Sequence, residues 1–525
     1  MTQTERAGAR IEGGHPRRWV ILGVLVSSLL VILIDNTILN VGLRSIQHDL
    51  GATQGEMEWV LDSYLLVFAG LMLPFGVLGD RIGRRLLLVA GMAVFGAASV
   101  AAAVVSDPVA LILARAGMGA GAAMVQPQTL SIIQNVFPPH ERGRAIGIWS
   151  SFSGIAVAVG PIAGGLLLEY FWWGSLFLVN LPVVVGGSIA VLLVVPESAD
   201  PRPGRPDLIG AVLGTAGVAG LVYGVVKGGE TGAWASAAVL GPLLGGAAVL
   251  ALFVRLQAGR AAPTLDVGLF RDRRFAGGTL ALAVTSFALM GGLVYLAYYW
   301  QAVRGYDALE SGFCALPVAA GLMLGAVRST GLAVRFGDRV PVAGGLAVMG
   351  LALLSWAWVG RDSALWALLV VSFLFGLGMG GVFAPATAAA MSAVPPARAG
   401  AGSAVTSTVR QAAGALGIAV LGSVLAAAYR DRIGGTVDAV FPAAARHDAA
   451  ESIVGTATEA EKLAAQVQSG TVPPSVLAEL HALAAKAQDA FVSAMHVTSV
   501  AAGGIALLGA AAVVLAMPGR HHRAA

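Results

Sequence analysis

The sequence predicts an all-α polytopic membrane protein, and three observations carry that prediction. Of its 525 residues, 57% are hydrophobic and only 12% charged, about half the charge of a soluble chain. Its mean hydropathy is +0.79, and apolar runs of about 18 residues or more recur along the whole length. Strands of alternating polarity, which a β-barrel needs, are not found. Backbone groups in lipid must be satisfied within their own segment, so the runs are expected to be helices.

Reading onward, spans fall near 18–43, 57–79, 86–105, 108–130, 144–168, 175–195, 207–227, 234–255, 275–300, 311–333, 340–359, 364–390, 400–428 and 490–517. That makes fourteen. The polar, Arg-rich first 18 residues lead into an apolar run without a small-residue cleavage site, which reads as an uncleaved first span. The tails and cytoplasmic loops then hold 21 Lys+Arg, whereas the short outer loops hold only Arg44, Lys227, Arg304 and Arg361. This bias places both termini in the cytoplasm, and 30 Arg against 3 Lys with an excess of Ala and Gly suggests a bacterial gene, hence an inner (plasma) membrane. The segment 430–489 is polar, Ala-rich and external on this topology, either a small helical cap or a solvated spacer.

The 70 glycines fit close helix packing in lipid. Cys314, the lone cysteine, leaves no disulfide framework or cysteine-based metal site, and no cofactor or metal is expected. The pI near 9.4 comes from arginines between spans, where membrane orientation explains them, so no nucleic-acid partner is expected. The three lysines, Lys227, Lys462 and Lys486, do not follow glycine, so a phosphate loop is absent. With no HExxH or GxSxG either, an enzyme has no visible catalytic set.

The charged residues inside spans are the informative ones. Asp35, in "LLVILIDNTILNV", lies about 12 Å from the outer end of span one; Asp62, in "WVLDSYLL", about 8 Å into span two; Arg115, in "LILARAGMGAGAAM", about 10 Å into span four. Each costs about 3 kcal/mol at a helix centre, so groups sharing one depth should seek one another. A structural ion pair is one account. A proton or cation site is the other, because burial and a neighbouring arginine pull a carboxylate's protonation in opposite directions.

Between spans two and three, "GVLGDRIGRRLLL" sets Gly76, Gly79 and Gly83 around Asp80, Arg81, Arg84 and Arg85, a tight turn with a charged latch. In span five, "GIAVAVGPIAGG" lines Gly154, Ala158, Pro161 and Gly165 at helical spacing, a small-residue face with a proline that permits a kink. Arg410 lies about 15 Å from the inner end of span thirteen, where it could meet an anionic group of a substrate or neutralise helix carbonyls. The cluster "YLAYYWQ", with Tyr295, Tyr298, Tyr299 and Trp300, could line a cavity for flat aromatic compounds, but its place at a span's outer end favours an interfacial belt.

In this order and on these spans, "LIDNTILNV", "GVLGDRIGRR", "RAGMGAGAA" and "GIAVAVGPIAGG" resemble the signature motifs of the major facilitator superfamily. With fourteen spans and "VRQAAGALGIAVLGSV", the chain resembles the drug:proton antiporter branch. The resemblance implies two six-helix bundles, residues 1–200 and 263–525, with a two-helix hairpin at 201–262 between them, rocking about a central site. It implies proton coupling by Asp35 beside Arg115, with Asp62 binding or coupling, and an inner gate of Gly76, Asp80, Arg81, Gly83 and Arg84. Gly160, Pro161 and Gly164, with Gly154 and Gly165, would form the antiporter motif. Three positions depart from the family pattern: Gly174 and Ser175 replace Arg and Trp, and Val334 stands where the first gate copy has Asp80, which makes the latch one-sided.

The expected function is export of amphipathic, cationic lipophilic compounds from the cytoplasm in exchange for protons, by a monomer in the lipid bilayer, with Asp62, Arg410 and Tyr298 as substrate contacts. A neutral or acidic natural product read by Arg410 is the alternative substrate. A sensor that keeps a transporter body is the alternative class.

Overall fold

The apolar runs fold as helices because each carries its own backbone hydrogen bonds through lipid. The computed structural model describes residues 14–52, 54–199, 208–231, 233–258, 267–306, 308–468 and 476–519. A long helix lies over each of the fourteen expected spans. In order these are α1 (Arg18–Leu50), α2 (Gln54–Ile82), α3 (Arg84–Val104), α4 (Pro108–Val136), α5 (Pro139–Tyr170), α6 (Asn180–Val194), α7 (Leu208–Thr231) and α8 (Ala237–Ala258). Then come α9 (Arg273–Tyr298), α10 (Ala308–Phe336), α11 (Arg339–Ser355), α12 (Leu365–Ser392) and α13 (Ala399–Val440). Two shorter helices, α14 (Ala443–Glu451) and α15 (Ile453–Gln468), precede α16 (Val476–Ala516). Among the described residues, twelve helices are long and apolar enough to cross a membrane, and α7 contributes a shorter apolar stretch, Val212–Val225.

Local chemistry sets several boundaries. Asp107 caps α4, its carboxylate accepting from the Ala110 N–H at 2.9 Å, with Pro108 at the first helical position. Gly83 adopts φ 120° in the turn between α2 and α3, a conformation open to glycine alone at little cost. That turn is held by Glu197 after α6, which accepts from the Arg85 and Leu86 N–H groups at 3.0 and 3.2 Å.

The side chains pack into two large apolar cores. One joins α1–α6, centred on residues such as Leu25, Tyr64, Phe95 and Ile133. It also takes in Ala390, Met391, Val394, Ala404 and Val405 from the adjoining ends of α12 and α13 and the turn between them. The other joins α9–α13 with α16, around Leu346, Trp356, Phe375 and Met495. Across the two, α2 packs on α13 and α5 packs along α10. The inserted α7 touches both α2 and α13: Thr215 lies beside Gly70, Tyr223 pairs with Trp59 at 5.9 Å, and Trp234, just before α8, donates to the Ser423 hydroxyl at 3.1 Å.

Three helices outrun their expected spans. α1 continues from 43 to Leu50, α13 from 428 to Val440, and α16 starts at Val476 instead of 490. The last two extensions answer the question of the 430–489 segment. Ile433, Val437 and Phe441 of α13 bury against Ile453 and Leu463 of α15 and Leu480 and Leu483 of α16. The described part is a packed helical cap, continuous with the second core. Its one buried side-chain pair is informative: the Tyr429 hydroxyl donates to Thr456 Oγ1 at 2.7 Å, while Thr456 donates to the Ala449 carbonyl.

Replacing Thr456 with Val therefore strands a buried phenol, at a cost of about 1–3 kcal/mol. We expect Thr456→Val to lower the melting temperature of the detergent-solubilised protein by a few degrees with transport retained. An unchanged melting curve would show that the cap is not part of the cooperative fold.

Candidate functional site

Asp35 on α1 and Arg115 on α4 are each 1% exposed, so neither is solvated and each needs a partner. They find one another: Arg115 Nη1 donates to Asp35 Oδ2 at 2.6 Å. The second carboxylate oxygen, Oδ1, accepts from Asn180 Nδ2 of α6 at 3.0 Å. Asn180 also donates to the Ser99 hydroxyl of α3 at 3.0 Å, and Ser99 donates to the Phe177 carbonyl. The guanidinium is held from α2 as well, where its Nε donates to the Val60 carbonyl at 3.2 Å and its carbon lies 4.3 Å from the centre of the Tyr64 ring. Tyr64 in turn accepts from Asn36 Nδ2 at 3.1 Å. One ion pair thus ties together α1, α2, α3, α4 and α6.

Asp62 lies half-buried on α2, two residues before Tyr64. Residues two apart on a helix point in nearly opposite directions, so Asp62 does not share the face on which Tyr64 meets Arg115. Its neighbour Ser63 donates to the Ile112 carbonyl of α4.

At the end of the bundle where α2 turns into α3, the latch residues assemble across the two halves. Arg84 Nε and Nη2 both donate to Asp80 Oδ1, at 2.8 and 2.6 Å, and Nη2 also reaches the Pro396 carbonyl at 2.9 Å. Asp80 then accepts from the first free N–H groups of α13: Gly400 N to Oδ1 and Ala401 N to Oδ2, both at 3.0 Å. A carboxylate at a helix N-terminus satisfies donors that have no partner in the helix and meets the positive end of its dipole. The contact requires bare backbone: a Cβ on Gly76 would lie 2.7 Å from the Gly400 carbonyl oxygen. Arg81, next to Asp80 in the chain, is partly exposed, and Arg18 bonds Glu141 at 2.6 Å. In the second half, Val334 is 83% exposed and offers no carboxylate, so the described latch is one-sided.

In the small-residue motif, Gly160 packs on Thr37 and Ile38 of α1, and Thr37 donates to the Ala156 carbonyl at 3.0 Å. Gly164 is buried, whereas a Cβ on Gly165 would meet open space. Gly154 and Pro161 lie on α5 at positions whose side-chain surroundings are outside the described residues.

Between the halves lies a cavity of about 10 Å³, room for a single water. Leu130 of α4 and Trp149 of α5 face Leu282 of α9, Thr387 of α12, and Thr406, Ser407 and Arg410 of α13 across it. Arg410 is about 16 Å along α13 from Ala399. Tyr298 is elsewhere: it is 37% exposed, meets the Phe491 ring of α16 edge-on at 6.4 Å, and does not line this cavity. Its neighbours are structural, with Tyr299 donating to the Gly360 carbonyl and Trp300 stacked on Tyr306.

Sequence reasoning brought Asp35 to Arg115 and Asp80 to Arg84 but missed Asn180, Ser99 and Tyr64. Asn180 had a signal, as a lone amide in an otherwise apolar span. Two outcomes follow. Asn180→Leu removes a bond to a charged group worth about 1.5–3 kcal/mol, and should slow substrate transport in vesicles at matched expression. Asp80→Asn removes the charge at the α13 N-terminus, worth about 1 kcal/mol or roughly fivefold in the closed state. It should raise maleimide labelling of a cysteine placed at Ala404 from the cytoplasmic side by that factor.

The model of the Major Facilitator Superfamily matches residues 25–418. The chain is 34% identical over 484 residues to the multidrug efflux pump LfrA of Mycolicibacterium smegmatis, covering 90% of this chain and 95% of that one. It is 30% identical to the tetracenomycin C resistance and export protein of Streptomyces glaucescens, covering 95% and 91%. Among solved structures, the human organic anion transporter MFSD10 superposes with a TM-score of 0.59 over 95% of this chain and all of that one, at 14% identity. That likeness concerns the fold.

Proposed function

This chain belongs to the major facilitator superfamily, and we propose that it is a proton-driven antiporter that exports amphipathic drugs or toxic compounds from the cytoplasm across the bacterial inner membrane. The observation that carries the reading is the buried Asp35–Arg115 pair with Asn180 on its free oxygen. The full-length relatives, an efflux pump and an export protein by name, support the direction of transport. The excess of arginine in the tails and inner loops supports cytoplasmic termini.

The pair works as a switch because its two members differ in chemistry. Arg115 keeps its charge throughout, whereas Asp35 can take up a proton. With Asp35 ionised, its carboxylate holds α4 and α6 against α1. Protonation removes the counter-charge, and Arg115 falls back on the Val60 carbonyl and the Tyr64 ring, both on α2. The links of α1 to α4 and α6 weaken, and the halves rearrange. A substrate that binds one arrangement better than the other then competes with the proton, which is the thermodynamic content of antiport.

The cationic substrate class expected from Asp62 draws no support from the central cavity, whose lining carries a cation and no carboxylate. The export reading does not depend on that class. A non-transporting sensor would keep the ion pair but move nothing.

The test uses purified protein in proteoliposomes with an imposed proton gradient and a panel of cationic, neutral and anionic fluorescent compounds. Wild type should move at least one compound in a gradient-dependent way. Asp35→Asn keeps one acceptor oxygen, enough for Arg115 but not for Asn180 as well, and at matched membrane expression its coupled transport should fall to background. Equal transport by the mutant removes Asp35 from coupling. Removing Arg115 instead (Arg115→Met) leaves a buried charge unpaired, at about 3–5 kcal/mol, and should show first as lost membrane expression.

A further inference from the structure

Arg410 differs from the other deeply placed arginines. Arg115 is matched to Asp35 and Arg84 to Asp80. The guanidinium of Arg410 carries five N–H donors, yet among the described residues no carboxylate, carbonyl or hydroxyl accepts from it. Its recorded contact is the Phe383 ring of α12, 5.8 Å from the guanidinium carbon. The alternative role of neutralising helix carbonyls has no hydrogen bond to support it. A charge at mid-membrane without a partner is costly, and such groups face a cavity and mark what passes through it.

Its surroundings complete a site. Thr387, Thr406 and Ser407 bring hydroxyls to the same cavity. Thr406 donates to the Ser403 carbonyl at 2.9 Å, which leaves its oxygen free to accept. Trp149 uses its ring N–H on Thr129 Oγ1 at 3.1 Å, so what it turns toward the cavity is an apolar face, next to Leu130. The cavity lies where the two halves meet, and parting them enlarges it.

Resting on the exporter reading, we infer that Arg410 recognises an acidic group, a carboxylate or phenolate, on an otherwise flat and apolar substrate. The anion takes the charge-assisted hydrogen bonds of the guanidinium, the α12 and α13 hydroxyls bond polar substituents, and the ring system lies on Trp149 and Leu130. The inside-negative membrane potential pushes such an anion outward, so coupling to protons and potential act in the same direction.

The test compares two dyes built on one ring system: fluorescein, which bears a carboxylate, and rhodamine 6G, a cationic ester. Equilibrium binding to the purified protein is read by fluorescence polarisation, and transport in proteoliposomes by dye movement under a proton gradient. Wild type should bind fluorescein, and Arg410→Gln should lower the fluorescein-to-rhodamine affinity ratio about tenfold or more, with Arg410→Lys recovering part of it. A purely structural role would weaken both dyes alike and leave the ratio unchanged, which overturns the inference. So does a wild type that binds rhodamine only, or neither dye. If fluorescein binds through Arg410 but neither dye moves under a gradient, the acidic site stands and the exporter reading fails.

Discussion

Everything in the first half of this protein is arranged around one requirement: a carboxylate and a guanidinium taken out of water must satisfy each other. Insertion scales put each at about 3 kcal/mol in a helix centre, and removing one partner of a buried pair costs about 3–5 kcal/mol. Asp35 and Arg115 meet that requirement only if α1 and α4 hold their depth to within a turn, and Asn180 and Tyr64 fix α6 and α2 in the same register. The pair stabilises little compared with an apolar equivalent. What it adds is a single arrangement of five helices.

The second consequence runs along α2. Tyr64 lies under Arg115 near one end and Asp80 closes on α13 near the other, about 24 Å away at helical rise. One helix thus carries both contacts, the ring under the guanidinium and the carboxylate on α13. Pro74 lies between them and removes one backbone donor, so α2 can bend there. The latch itself joins a side chain of one half to the bare N–H groups of a helix in the other, and that makes it reversible: it breaks without leaving an unpaired charge, since Arg84 stays on Asp80.

Much of this was legible in the sequence, and the boundary has physical causes. Charges in apolar runs announce themselves, so Asp35, Arg115, Asp80 and Arg84 could be singled out and their depths compared. The acceptor of Asp80 could not, because the N–H groups of Gly400 and Ala401 have no side-chain signature. Ser99 and Tyr64 are neutral and common in membrane helices, so only their neighbours reveal them, whereas Asn180 stands out as the one amide of its span. The cap stayed one of two readings for another reason. Its buried residues, among them Ile433, Val437, Ile453, Leu463, Leu480 and Leu483, lie on extensions of two spans and on short separate helices, and an amphipathic pattern alone does not say whether a partner lies opposite. Tyr298 shows the reverse: an aromatic cluster suggestive of a drug pocket meets Phe491 and a partly exposed surface, as interfacial aromatics do.

The inserted α7 also shapes the route by which a compound could arrive. It lies along both α2 and α13, with Ala69 of α2 buried against Val218 and Val222, and Trp234 bonded to Ser423. On that side, a molecule dissolved in the lipid meets a third helix before it meets the line where the halves join. The hairpin covers the seam on that side, as a gasket covers a joint. Access to Arg410 is thereby biased toward the aqueous ends of the cavity or the opposite flank, where α5 and α10 adjoin.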